Sequence, residues 1–168
     1  MIMKNRKKVC IILLEYSLRI IKNILVMSLK ITNTETENSL RDMLKKEGYE
    51  LSIKKGLGKL GSDIKAAKDN ESWYIEVIGF EESSLDTVKD FYEAFFQSIS
   101  RLNNKGCKHI IIAMPEQYRK ILPIRAKMYK TAWKRIAKVF PELEIWLVDI
   151  DNKKYLRTAW IYWLSLNL

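Results

Sequence analysis

Asp63 and Glu76 are the two residues of this chain whose setting could support chemistry. Glu76 stands in the run Ser72-Trp73-Tyr74-Ile75-Glu76-Val77-Ile78-Gly79, whose apolar and β-branched residues predict a buried strand with one carboxylate in its middle. An ionised carboxylate in such a place is costly unless something cationic meets it. Asp63 belongs to the strand before, and a second acid one strand away makes a metal ion the expected cation. Asp and Glu supply the hard oxygen ligands that magnesium prefers. The alternative for the same two residues is a pair of surface acids on edge strands.

The elements that must position them can be read from the periodicity. Thr34 and Glu37 have capping-box spacing, Leu40, Met43 and Leu44 share one helical face, and Gly48 is placed to end that helix. Tyr49, Leu51 and Ile53 alternate with polar residues, which predicts a half-buried strand to Lys55. Two further strands follow, Asp63 to Ala67 and Trp73 to Ile78, with a turn at Lys68-Asp69-Asn70-Glu71. A long helix is expected from Leu85 to Asn103, with Val88, Phe91, Tyr92, Phe95, Ile99 and Leu102 as its apolar stripe. His109 to Met114 suits a fully buried strand. A basic helical region from Gln117 to Phe140 and a fifth strand, Leu143 to Asp149, complete the order α-β-β-β-α-β-α-β. A mixed sheet with helices on its faces follows.

This order, with the two acids, resembles the PD-(D/E)xK nuclease superfamily, also called restriction-endonuclease-like, over about residues 35–149. The resemblance implies an α/β fold with an αβββαβ core and magnesium-dependent cleavage of phosphodiesters. Asp63 would be the bridging acid, Glu76 the second metal ligand and the Val77 carbonyl a third. Glu37 on the first helix corresponds to a further acid that some members use, with Glu35 as the alternative; either can instead act locally on the helix dipole. The family's lysine, two residues after the second acid, is here Ile78. Lys65, on the face of Asp63, and Lys89 are the candidates to replace it. Lys89, Glu93 and Gln97 share one flank of the long helix, and Phe91-Tyr92-Glu93-Ala94-Phe95-Phe96-Gln97 resembles the family's glutamine-bearing helix. Read locally, Lys89 and Glu93 are an ordinary i,i+4 surface pair. Ile78 leaves three outcomes open: a relocated lysine, a nuclease fold that binds DNA without cutting it, or a false likeness.

The formal net charge is +10 and the pI about 9.5, a balance that favours polyanions. Between Glu116 and Phe140 the chain carries eight Lys and Arg against one acid. Lys127, Lys130, Lys134 and Lys138 line one side of the basic helix, with Tyr129, Ala132, Trp133, Ile136 and Phe140 opposite. Such a stripe is a solvated face or a phosphate-binding face, and the expected partner is nucleic acid, DNA before RNA. Gly56-Leu57-Gly58-Lys59-Leu60-Gly61 spells G-x-G-x-x-G but lacks the helix that a dinucleotide fold requires after it. With His109 the only histidine and Cys10 and Cys107 the only cysteines, no nucleophilic triad or zinc site is expected.

Three parts are expected: an N-terminal extension over residues 1–33, helical and with Met27 as an alternative start, an α/β domain over 34–150, and an apolar tail over 151–168. Trp160, Tyr162, Trp163 and Leu164 of the tail are expected to pack on the domain or in a homodimer contact. The apolar run at Val9 to Leu14 is too short to span a bilayer. A cytoplasmic location is expected; a membrane-surface protein is the remaining alternative class.

Overall fold

The computed structural model describes residues 30–54, 62–82 and 86–166. The expectations for the glycine-rich segment, Gly56 to Gly61, and for residues 1–29 of the N-terminal extension lie outside the described residues.

The first helix, α1, spans Asn33–Lys46 and follows a two-residue strand, β1 (Lys30–Ile31). Its capping box is Thr32 with Glu35, not Thr34 with Glu37. The Thr32 hydroxyl accepts the Glu35 N–H at 3.1 Å, and the Glu35 carboxylate accepts the Thr32 N–H at 2.7 Å. The Thr32 hydroxyl also donates to that carboxylate at 2.7 Å, and this bond, with the one from the Thr32 N–H, holds the Glu35 carboxyl below the usual range. Glu35 therefore takes the local role at the helix start, and Glu37 is left to the second turn. After α1, Gly48 adopts φ of +84°, a conformation glycine enters without strain.

Six strands form the main sheet in the order β2-β3-β4-β6-β7-β8: β2 (Glu50–Leu51), β3 (Ile64–Lys68), β4 (Glu71–Val77), β6 (His109–Pro115), β7 (Leu143–Asp149) and β8 (Lys154–Ala159). A short β5 (Phe80–Glu81) pairs with β1 in a separate ribbon. The pairs β4-β6 and β6-β7 are parallel, and the outer pairs are antiparallel. Between β4 and β6 the chain crosses over through α2 (Asp86–Ser100) and a 3-10 turn at Arg101–Asn103. The protein is thus α/β, with a mixed sheet flanked by helices and the α1-β2-β3-β4-α2-β6 order expected of the core.

Three readings of the sequence are corrected. The first strand stops at Leu51, and Ile53, expected inside, is 91% exposed. The basic region is a 3-10 turn (Glu116–Lys120) and two helices, α3 (Leu122–Met128) and α4 (Lys130–Val139). The chain breaks at Tyr129, where φ is −107° and ψ is 34°. After Ile150 the chain supplies the sixth strand, β8, and then a short helix, α5 (Tyr162–Ser165).

Alternation along the strands splits the core in two. Ile75, Val77, Ile111, Ala113, Trp146 and Val148 face α1 with Leu40 and Leu44. Ile110, Ile112, Met114, Ile145 and Leu147 face α2, α3 and α4, where Trp133, Trp160 and Trp163 join them. The tail aromatics Trp160 and Trp163 are therefore part of this second core.

Candidate functional site

The hairpin between β3 and β4 fixes how the two acids meet. Asp69 and Asn70, at its turn, both have positive φ, 50° and 63°, as a tight two-residue hairpin demands. Lys68 then pairs with Glu71, and the register runs back to Ile64 opposite Ile75. One residue further, Asp63 falls across from Glu76. Side chains alternate along β4, so Glu76 rises on the face of α2.

Asp63 lies just beyond the end of β3, and its carboxylate takes over where the ladder stops. Its Oδ2 accepts the Val77 N–H at 2.8 Å. Its own carbonyl accepts Arg41 Nη2 at 2.7 Å, while Arg41 Nη1 donates to the Ser52 carbonyl at 2.8 Å. Arg41 thereby fastens both sides of the segment that connects β2 to β3. The same guanidinium holds Glu37, Nε to Oε1 at 2.7 Å, and Lys54 Nζ stands 3.6 Å from the other oxygen of Glu37. Burial raises the Asp63 carboxyl above the usual aspartate range. The Val77 bond opposes this, the negative charge of Glu37 adds to it, and the guanidinium groups of Arg101 and Arg41 pull it back. Asp63 thus feels Glu37 on one side and Arg101 on the other.

Glu76 is 1% exposed, and its cation is Arg101. Arg101 Nε donates to Glu76 Oε1 at 2.9 Å from the turn that follows α2. The sequence requires a positive charge at this buried carboxylate, and a guanidinium within the chain provides one. Arg101 is the site residue that the sequence reading missed. It lies 25 positions from Glu76, and no local spacing links the two; the signal available was an unassigned arginine at the end of a helix that packs on the acid-bearing strand.

Of the two lysine candidates, Lys65 holds its amine over the Tyr74 ring, 5.3 Å from the centroid. Lys89, Glu93 and Gln97 are exposed on α2, and Gln97 donates to Glu93 at 3.1 Å. Among the described residues, neither Lys65 nor Lys89 forms an ion pair with Asp63 or Glu76. Ile78 is buried in the α2-side core beside Phe80 and Phe91. Val77, the third expected ligand, is buried and contributes its N–H to Asp63.

Magnesium at this place would have to take oxygens from Asp63 and Glu76 together with the Val77 carbonyl. One oxygen of each acid is engaged by an N–H of the protein, Glu37 is held by Arg41, and Arg101 brings a positive charge to the spot a cation would fill. Among the described residues, no three His, Cys, Asp or Glu side chains gather as metal ligands. As arranged, Asp63 and Glu76 each spend one oxygen on a donor of the protein itself.

The basic helices present a different chemistry. Lys127, Lys130, Lys134 and Lys138 are all exposed, and among the described residues none is ion-paired to a carboxylate. Arg119, by contrast, is paired with Glu116. Of the apolar side expected on this helix, only Trp133 is buried; Tyr129 and Ala132 are exposed. His109 bridges Glu71 at 3.2 Å and Glu144 at 3.4 Å and stacks on Trp73.

Neither a family model nor a curated protein matches the sequence. A crystal structure of an XisH family protein from Nostoc punctiforme PCC 73102 is similar in fold, with a TM-score of 0.49 and 14% identity, covering 73% of this chain and 96% of that one. At that identity it transfers no residue role to this chain. Among the described residues, no helix is long and apolar enough to cross a membrane.

Proposed function

We propose that this chain is a nucleic-acid-binding protein on a nuclease-type frame, resembling the PD-(D/E)xK superfamily, whose acid pair has become structural. The observation that carries this reading is the buried contact between Glu76 and Arg101 at 2.9 Å. It neutralises the acid from within the chain, while Ile78 fills the position of the superfamily's lysine with an apolar side chain packed into the core. Cleavage needs a water activated beside a phosphate, and Ile78 offers no amine for that purpose.

Binding needs less. Exposed lysines without carboxylate partners supply sequence-independent affinity through phosphate contacts and counterion release. Lys127, Lys130, Lys134 and Lys138 meet that condition, and DNA is the favoured partner over RNA.

The test is to incubate the purified protein with plasmid in magnesium, in manganese and in EDTA. A mobility shift that weakens with salt and leaves the plasmid intact supports the reading. Cleavage that requires metal and disappears in Asp63→Ala overturns it in favour of an active magnesium-dependent endonuclease.

A further inference from the structure

A groove of about 210 Å³ runs between helices α2 and α4, with Phe91, Phe95, Trp133 and Trp160 in its lining and the Tyr92 and Tyr129 hydroxyls meeting across its rim. Trp133 and Trp160 are buried and stacked at 4.1 Å, so the groove has a rigid aromatic base. Tyr92, Phe96 and Tyr129 also line it, and they are 46%, 68% and 49% exposed. Three large aromatic side chains left in water around one groove mark an interaction surface.

The charge around the groove narrows the choice of occupant. Arg125 lines it, with its guanidinium 5.4 Å from the Phe91 centroid. Lys89 lines the adjoining depression with Tyr92 and Phe96. Lys130 and Lys134 follow on the next flank of α4, exposed. The acid at this rim, Glu93, is engaged by Gln97. A second copy of this chain would bring like charge against like charge, on a protein whose net charge is already +10. A polyanion with flat apolar faces satisfies both the rings and the cations.

We infer that this groove takes the bases of single-stranded nucleic acid, with the neighbouring lysines and Arg125 on the phosphates. Aromatic faces bordered by Lys and Arg are the physical basis of single-strand binding, because every base has a face that stacks and every nucleotide a phosphate. In a duplex the base faces are covered by their neighbours, so this surface would reach only the backbone. The inference rests on the nucleic-acid reading above and names its preferred substrate.

The experiment measures fluorescence anisotropy of a labelled oligo-dT strand and of a duplex of equal length, titrated with the full chain and with Phe96→Ala, Phe96→Leu and Tyr129→Ala. Phe96 is exposed, and circular dichroism checks that each variant keeps the parent helix content. The expected result is that each variant weakens binding of the single strand by about tenfold, the loss of one stacked base, and leaves the duplex unchanged. Phe96→Leu keeps apolar bulk and removes only the ring, so its loss of single-strand affinity separates stacking from burial. Unchanged single-strand affinity in all three variants, with the duplex still bound, overturns the inference and leaves the nucleic-acid reading intact. Tighter binding of an acidic amphipathic peptide than of oligo-dT, tolerant of Phe96→Leu, overturns it in favour of a protein partner. Absence of binding to either nucleic acid at low salt overturns both.

Discussion

The acids beside β3 and β4 and the lysines of α3 and α4 use charge in opposite ways, although α2 borders both. Around Asp63 and Glu76 each acid has a donor, and Glu76 and Arg101 are largely shielded from water. Along α4 the cations stand in solvent without carboxylate partners among the described residues. In the first arrangement the charges are met by groups of the protein itself in a site shielded from water. The second adds little to stability and leaves its cations open to solvent. The sequence pointed to both groups, and the structure shows that they differ in how far the protein already satisfies their charge.

The sharpest way to break this contrast is Arg101→Ala. Removing one partner of a buried pair leaves an uncompensated charge, and the expected loss of stability is about 3–5 kcal/mol. Urea unfolding checks it, and adding Glu76→Leu to Arg101→Leu should recover most of the loss. A loss under about 1 kcal/mol would mean that the pair is no structural lock. On the other side, replacing Lys127, Lys130, Lys134 and Lys138 with Gln should leave unfolding within about 0.5 kcal/mol of the parent. Affinity for DNA should fall, and the slope of log K against log salt should flatten by about 0.9 for each lysine that contacts a duplex phosphate. Anisotropy titrations at several salt concentrations measure both quantities.

Two smaller effects sharpen the picture on the acid side. Thr32→Ala removes the cap of α1 and should cost about 1 kcal/mol, measured by the same urea unfolding. Asp63→Asn tests the cost of burial. The raised carboxyl means that the folded protein holds the Asp63 proton more tightly than the unfolded chain does. Its stabilising contribution is therefore complete below the ordinary aspartate value, about 4, and is lost as pH rises through the higher folded value. At pH 7 the ionised side chain is a net burden, and the Asn variant, which keeps an oxygen for the Val77 N–H, should melt slightly higher than the parent. That advantage should shrink as pH falls toward the ordinary value. An Asn variant that melts lower at pH 7 would show that Arg101 and Arg41 outweigh desolvation.

Much of the fold was legible because the relevant signals are local. Leu143–Asp149 appears with the bounds expected, and α2 and β6 lie within a few residues of theirs. The cap of α1 was misplaced because Thr-x-x-Glu occurs twice in overlap, Thr32 to Glu35 and Thr34 to Glu37, and spacing alone cannot choose between them. Ile53 fitted an alternating pattern, but alternation does not reveal where a neighbouring strand ends. At the site, the buried carboxylate of Glu76 was legible from the residues around it. Its partner was not, because the contact with Arg101 is made by a crossover helix folding back onto the sheet. Strand β8 was hidden inside what reads as one apolar tail: among the described strands Lys154-Tyr155-Leu156-Arg157-Thr158-Ala159 pairs with β7 alone, and the aromatic residues after it dominate the pattern.

Trp160 and Trp163 carry one more consequence. They follow the last strand of the sheet, yet they sit in the core against Phe91, Phe95 and Trp133 from much earlier positions. During synthesis, at about 5–20 residues per second, the helices on that side of the sheet must wait for these two indoles before they can be sealed. A nascent chain interrupted after Ala159 would therefore hold every strand of the sheet and a shut α1 layer, while the α2 layer gaped and offered its aromatic lining to chaperones.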